Sequence, residues 1–96
     1  PAMHEDLSKI ANFLLDHPLY RLNISGHTDS QGSEESNLKL SQARADAIRE
    51  YLVNEFSIDG LRIEAHGFGS SRPIVEEIGD AERKLNRRVE FEIARQ

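Results

Sequence analysis

The chain has 96 residues, of which 38% are hydrophobic and 30% charged, and it carries no cysteine and a net charge of −5. Its length and composition predict one small globular domain over residues 1–96, without disulfide bonds or cysteine-bound metal. The acidic balance argues against nucleic acid as a partner, because nucleic-acid-binding domains usually present a basic face. No apolar run approaches the ~20 residues that span a bilayer, so we expect no membrane insertion by this domain. We also expect no signal peptide and interpret residues 1–3 as a candidate cloning remnant.

Hydrophobic periodicity predicts two amphipathic helices, a short helical turn and three strands. Apolar residues recur at helical spacing in the helices, whereas they alternate with polar residues in each strand. Pro18 ends the first helix, because the residue before a proline avoids the helical conformation. In chain order, the elements are a helix over residues 5–16, a strand over 21–26, a helix over 35–56, a strand over 61–66, a helical turn over 80–85 and a strand over 88–94.

Each predicted strand is apolar on one side, so the sheet needs a cover on that side. The residues expected to face inward are Leu61, Ile63 and Ala65 on the second strand, Val89, Phe91 and Ile93 on the third, and Leu40, Ala43, Ala47, Ile48, Tyr51 and Leu52 on the long helix. We therefore predict an α+β fold, a two-layer sandwich in which a small mixed sheet is covered on one face by two main helices.

A polar loop joins the first strand to the long helix, and the candidate binding residues surround it. Asp29 stands near the start of the loop and Arg44 about two turns into the helix, so a loop that folds back would bring them together. This pair suits a zwitterion, because the carboxylate can bind an ammonium while the guanidinium grips a carboxylate through two hydrogen bonds. Thr28, Asn37 and Ser41 flank the pair. The alternative is a structural ion pair, which is the commoner role of such residues.

Other chemistries find less support. His27 and Asp29, with His66 on another strand, form part of a metal-binding pattern but lack the further ligands that closed metal sites need. We expect His27 to orient the loop through hydrogen bonds instead. No nucleophile elbow, phosphate-binding loop or cofactor motif is present, so the sequence predicts neither catalysis nor a cofactor. Arg87 has inward parity on the last strand and should find an anion or lie over the rim of the core, with a salt bridge to a surface acid as the commoner alternative.

Several short motifs, taken in order, resemble those of the OmpA-like family of peptidoglycan-binding domains. They are Gly26-His27-Thr28-Asp29, Gly32, Asn37, Leu40-Ser41, Arg44-Ala45, Gly67-Phe68-Gly69, Pro73 and Asn86-Arg87-Arg88-Val89. No single motif is specific, but the series at this spacing covers about residues 7 to 94. The resemblance implies a periplasmic module of Gram-negative bacteria that holds the cell wall noncovalently. Such a module recognises the stem peptide of peptidoglycan, especially the free α-centre of diaminopimelate.

The resemblance also implies a role for each residue of the candidate site. Asp29 is expected to bind the ammonium of diaminopimelate and Arg44 its carboxylate, while Asn37 lines the pocket and Arg87 borders it. The parent protein would be an outer-membrane porin, an anchoring lipoprotein or a flagellar stator subunit. The alternative is a structural or dimerisation domain of the same fold that no longer binds the wall.

The family pattern begins with a strand and a loop before the first helix, and that loop also lines the pocket. The present sequence starts at or just before the first helix. We therefore expect a sheet without the first family strand, and an exposed sheet edge would favour a homodimer.

Overall fold

The computed structural model describes residues 2–96, with side chains described from residue 6 onward. Three helices, a short 3-10 turn and three strands follow one another along the chain. They are α1 (Ala2–Asp16), β1 (Tyr20–Gly26), α2 (Glu34–Phe56), the 3-10 turn (Gly60–Arg62), β2 (Ile63–Gly67), α3 (Asp80–Asn86) and β3 (Val89–Arg95). The element types and their order agree with the sequence prediction, apart from the 3-10 turn at the start of the second predicted strand.

The sheet has the order β2-β1-β3, with β1 parallel to β2 and antiparallel to β3. Leu22 and Ile24 of β1 are fully buried, and they face the core formed with the helices. That core consists of Leu7, Ala11, Leu14, Leu22, Ile24, Ala45, Leu52, Ile58 and Ile63. The predicted α+β class, with a mixed sheet covered on one face by two main helices, is therefore confirmed.

The long helix α2 begins after its capping residue, and only part of the face predicted to be buried is buried. Ser33 caps it by accepting a hydrogen bond from the amide of Ser36 at 3.1 Å. The buried residues of α2 are Asn37, Ser41, Ala45 and Leu52. Leu40, Ala43 and Ala47, which were predicted to be buried, are exposed. Ile48, Tyr51 and Leu52, which belong to the same predicted face, do lie in or against the core, so the helix is only partly rotated relative to the prediction.

Two polar side chains of α2 explain this rotation. Gln42 and Arg49 lie outside the predicted apolar face of α2, and their side chains lie against β2. The Gln42 amide donates to the carbonyl of Ala65 at 2.9 Å and accepts from the amide of Gly67 at 2.8 Å. The Arg49 guanidinium donates to the carbonyls of Ile63 and Gly60. These bonds satisfy main-chain groups along the outer edge of β2, which would otherwise remain unpaired.

Two apolar residues that were predicted to face inward do not. Leu61 lies in the 3-10 turn rather than in β2, and 91% of its surface is exposed. The turn forms because Asp59 caps it, with its carboxylate accepting from the amide of Leu61 at 2.9 Å. Ile93 is 39% exposed, because β3 is an edge strand that the helices cover only in part.

Glycines at the ends of β1 and β2 allow α2 to pack closely on the sheet. A Cβ atom added at Gly26 would collide with the main-chain carbonyl of Ser41. A Cβ atom added at Gly67 would collide with the backbone nitrogen of Gln42. Only a residue without a side chain fits at either place, because α2 lies backbone against backbone on both strand ends. This contact fixes the position of α2 beside the loop that follows β1.

The face of the sheet that the helices leave uncovered is polar. A groove of about 670 Å³ lies on it. Its acidic residues have partners, since Glu64 pairs with Arg21 at 3.3 Å and Glu92 accepts from Asn23 at 3.1 Å. We interpret this face as a solvated surface held by cross-strand pairs. None of the helices in the described residues is long and apolar enough to cross a membrane.

Candidate functional site

The first residues of the loop that follows β1, His27 to Asp29, are buried, and hydrogen bonds to main-chain groups hold them. Thr28 is 5% exposed and Asp29 is 7% exposed, which is unusual for polar loop residues. The Thr28 amide donates to the carbonyl of Gly69 at 2.9 Å, and the Thr28 hydroxyl donates to the carbonyl of Asp29 at 2.9 Å. The Asn37 amide donates to the carbonyls of Asp29 and Gln31, at 3.4 and 3.1 Å. These contacts fix the backbone around Asp29.

The carboxylate of Asp29 is held as an anion by two donors. The Gln31 amide donates to Oδ1 at 2.9 Å, and the Arg87 guanidinium donates to Oδ2 at 2.7 Å. The Gln31 hydrogen bond and the Arg87 contact hold the pKa of Asp29 below its ordinary value of 3.8, although burial opposes this shift. Asp29 is therefore ionised at neutral pH, and 10% of its side chain remains accessible.

Arg87 directly follows α3, and its guanidinium reaches the carboxylate of Asp29. It caps that helix, and its amide donates to the carbonyl of Arg83. The prediction that Arg87 would find an anion is confirmed, although Arg87 precedes β3 rather than lying in it. The adjacent Arg88 has only 16% of its side chain exposed and pairs with Glu90 at 2.7 Å.

The buried face of α2 contributes Asn37 and Ser41, one turn apart. Asn37 contacts the Asp29 loop as described above. Ser41 is fully buried, and its hydroxyl donates to the carbonyl of Leu38 and accepts from the amide of Gly69 at 2.9 Å. The carbonyl of Gly69 in turn accepts from the amide of Thr28, so Ser41 supports the Asp29 loop through Gly69. The structure therefore brings together four of the six predicted site residues around one loop, Thr28, Asp29, Asn37 and Arg87, with Ser41 beneath them.

Arg44, the sixth residue, lies on α2 apart from this cluster. It is exposed and, within the part of the chain that the structure describes, it makes no ion pair or hydrogen bond. The ion pair of Asp29 is formed with Arg87 instead. Arg44 lies seven residues beyond Asn37, about 10 Å along the helix axis and on nearly the same side. It is thus a guanidinium without a partner on the helix that follows the Asp29 loop.

His27 is buried in the loop, but its ring makes no hydrogen bond. Its backbone exchanges hydrogen bonds with Arg88, and its ring stacks on Phe68 with centroids 5.5 Å apart. The expectation that His27 would orient the loop through hydrogen bonds is therefore confirmed for its main chain but not for its ring. Nε2 lies 3.5 Å from a carboxylate oxygen of Glu90. Burial and the charge of Arg88 nevertheless lower the pKa of His27, so we regard this contact as one between a neutral imidazole and a carboxylate.

Two residues that were not predicted to belong to the site hold the loops around it. Asn86 is fully buried and binds residues 74–77, and Glu77 binds Ser30. Asn86 is the first residue of the Asn-Arg-Arg motif, and this position is the sequence feature that could have indicated its role near the site. Glu77 follows a second glutamate in a polar segment, and nothing in the local sequence distinguishes it. Among the described residues, no group of three or more histidine or acidic side chains could hold a metal ion.

Comparison with known proteins places the chain in a family. The model of the OmpA family matches residues 1–87. The chain is 41% identical over 90 residues to outer membrane porin F of Pseudomonas aeruginosa, covering 94% of this chain and 26% of the porin. It is 40% identical over 91 residues to the peptidoglycan-binding protein ArfA of Mycobacterium tuberculosis, covering 95% of this chain and 28% of ArfA. The chain thus spans little more than a quarter of the length of these relatives.

A solved structure supports the same assignment. The peptidoglycan-associated lipoprotein of Burkholderia pseudomallei superimposes with a TM-score of 0.86 at 32% sequence identity, covering 92% of this chain and 74% of the lipoprotein. From the family match, the two relatives and this structure we conclude that the chain belongs to the OmpA family.

Proposed function

We propose that this chain is a noncovalent peptidoglycan-binding module that recognises the α-centre of diaminopimelate in the stem peptide. The observation that carries the proposal is an ionised, nearly buried Asp29 followed by a helix on which the guanidinium of Arg44 is exposed and has no partner among the described side chains. The names of two relatives, a peptidoglycan-binding protein and a peptidoglycan-associated lipoprotein, support the same ligand class.

Asp29 and Arg44 would each bind one of the two charged groups of the α-centre. Asp29 is held by Gln31 and Arg87, and its remaining acceptor sites would take the ammonium of the α-centre. Arg44 would grip the α-carboxylate through paired hydrogen bonds, because its fork of donors matches carboxylate geometry. Thr28, Asn37 and Ser41 would keep the loop in place, and Arg87 would border the pocket while holding Asp29. No cofactor and no catalytic step are part of this proposal.

The setting would be the bacterial cell envelope. A wall-binding module of this kind would anchor a longer parent protein in the periplasm, attached to the outer or inner membrane. Porin F is named as an outer-membrane protein, which favours a Gram-negative envelope, whereas ArfA comes from a mycobacterium. Homodimer formation through the outer edge of β3 remains part of the proposal.

A structural role for the site is the second candidate, and one observation favours it. The carboxylate of Asp29 already accepts two hydrogen bonds within the chain, as a purely structural ion pair would. In that case the fold would serve as a scaffold or dimerisation domain, and wall peptides would not bind.

The test is a calorimetric titration with a diaminopimelate-containing stem peptide, with the lysine-containing peptide as the ligand control. Lysine has the side-chain ammonium but lacks the second α-carboxylate. Binding of the first peptide and not of the second is expected. Binding of neither would favour the scaffold role.

Variants assign the binding to particular residues. Arg44→Ala removes an exposed charge and should weaken binding by about tenfold or more, since a charged hydrogen-bonded contact contributes roughly 1.5–3 kcal/mol. Lys39→Ala is the matched control, because it removes another exposed cation of α2 that pairs only with Glu35. Asp29→Asn should also weaken binding. Equal affinity of Arg44→Ala and the parent chain would contradict the assignment.

A further inference from the structure

A side chain from a distant loop grips the residue that follows Asp29. Glu77 lies between β2 and α3, and its carboxylate accepts three hydrogen bonds from Ser30. The Ser30 amide lies 3.2 and 3.1 Å from the two carboxylate oxygens, and the Ser30 hydroxyl donates at 2.6 Å. Glu77 is therefore bound to both the main chain and the side chain of the residue next to Asp29.

Glu77 is itself held in place by the fully buried Asn86. The Asn86 side-chain amide donates to Glu77 at 2.9 Å and to the carbonyl of Val75 at 3.0 Å. Its carbonyl oxygen accepts from the amides of Ile74 and Val75. The residues around Glu77 are thus pinned to the end of α3, from which Arg87 also reaches Asp29. Both contacts with the Asp29 loop are therefore anchored at the end of α3, through Asn86 and Arg87.

The geometry of the Asp29–Ser30 peptide depends on this contact. Asp29 Oδ1 accepts from the Gln31 amide, which requires the intervening Ser30 to keep its orientation. Glu77 fixes that orientation by holding the Ser30 amide, and the Gln31 bond then directs the Asp29 carboxylate. The hydrogen bonds from Ser30 and Asn86 lower the pKa of Glu77, although the nearby negative charge of Asp29 opposes this shift. A second carboxylate at this place adds negative potential, which favours a cationic group on the ligand.

We propose that Glu77 is a positioning residue for ligand binding, which holds the Asp29 carboxylate toward the ammonium of the bound α-centre. This inference rests on the proposed function. Glu77 acts through Ser30 and need not touch the ligand.

The test compares Glu77→Ala, Glu77→Gln and Glu76→Ala. The first removes the contact with Ser30, and the second keeps an acceptor oxygen for Ser30 but removes the charge. The third is the control, since Glu76 is the neighbouring exposed acid and makes no hydrogen bond or ion pair in the described part of the chain. Two quantities are measured for each, the affinity for the diaminopimelate stem peptide by calorimetry, and the exchange rates of the Ser30 and Gln31 amide hydrogens by NMR without ligand.

Glu77→Ala should weaken peptide binding by about tenfold, corresponding to one lost charged contact, and accelerate exchange at Ser30 and Gln31. Glu77→Gln should restore most of the affinity and of the protection, and Glu76→Ala should match the parent chain. The inference is overturned if Glu77→Ala binds the peptide with the affinity of the parent chain. It is also overturned if Glu76→Ala loses as much affinity as Glu77→Ala.

The exchange measurement separates this inference from the proposed function. A parent chain that binds no peptide would refute the proposed function. Slow exchange at Ser30 that accelerates only in Glu77→Ala would still support the positioning role. Unchanged exchange in that variant would overturn the role whatever the peptide does.

Discussion

His27 shows how burial changes the ionisation of a single side chain in this molecule. Its ring is 2% exposed, and both ring nitrogens lack a hydrogen bond. A charged imidazole there would be poorly solvated, and Arg88 and Arg72 disfavour its positive charge, although Glu90 favours it. The balance lowers the pKa of His27, so the folded chain holds this imidazole in its neutral form.

This shift predicts a pH dependence of stability. The unfolded chain takes up a proton on His27 near its ordinary pKa of 6.5, while the folded chain resists protonation until a lower pH. The unfolded state therefore binds more protons in this window, and stability must fall as the pH drops from about 6.5 toward the lowered pKa.

The measurement compares thermal unfolding of the parent chain and His27→Phe between pH 8 and pH 5, because the contributions of all other titrating groups then cancel. Phenylalanine keeps a ring to stack on Phe68 but cannot be protonated. The melting temperature of the parent should fall relative to that of His27→Phe below about pH 6.5. A difference that stays constant over the whole range would show that His27 has the same pKa in both states.

At the scale of elements, the placement of α2 against the sheet determines the site. The helix lies close enough to the ends of β1 and β2 that Gly26 and Gly67 have no room for a side chain. That approach brings Asn37 and Ser41 beneath the loop that carries Asp29. Any change that pushes α2 away from the sheet should therefore affect stability and the binding loop together.

Gly26→Ala tests this packing. Its methyl group would collide with the Ser41 carbonyl, which belongs to a helix backbone and cannot move aside easily. We expect a loss of about 1–3 kcal/mol in the free energy of unfolding, which is the usual cost of overpacking. Gly79→Ala is the control, because a methyl group there meets Glu82 at an ordinary distance of 3.6 Å. Thermal unfolding that is equally affected in both variants would contradict the packing argument.

Periodicity predicted the elements well but not the orientation of α2. The apolar residues Leu40, Ala43 and Ala47 suggested one face, and hydrophobicity alone could not show that Gln42 and Arg49 would bind the edge of β2. Those bonds depend on main-chain groups more than ten residues away in sequence. The prediction for Leu61 was wrong for a local reason. The cap formed by Asp59 favours a 3-10 turn where the alternation of apolar and polar residues suggested a strand.

At the scale of the whole molecule, the site is assembled by contacts between distant segments. Asp29 and Arg87 are 58 residues apart, and Ser30 and Glu77 are 47 apart. The loop, the helix and the final arginine motif could each be recognised from the sequence. The sequence could not show which arginine pairs with Asp29. Arg44 and Arg87 offer the same chemistry, and only the packing of α3 decides between them.

Arg62 provides a further long-range connection, which joins the 3-10 turn to α1 and β1. Its guanidinium donates to the carbonyls of Leu14, His17 and Tyr20 at 2.7 to 3.0 Å. Leu14 lies in the last turn of α1, where carbonyls have no partner within the helix. One side chain thereby closes the end of α1 and fixes the connection to the central strand.

Arg62→Ala should therefore destabilise the chain by about 1–3 kcal/mol, because it leaves several partly buried carbonyls without a donor. For a chain of this size, each kcal/mol corresponds to about 4–8 °C in melting temperature. Arg21→Ala is the matched control, since the Arg21–Glu64 pair is exposed and such pairs contribute little. Arg62 lies away from the Asp29 loop, so affinity for the stem peptide should not change at temperatures where the variant is folded. Equal melting temperatures for the two variants would show that α1 is held by its apolar contacts alone, and that the Arg62 bonds add nothing to them.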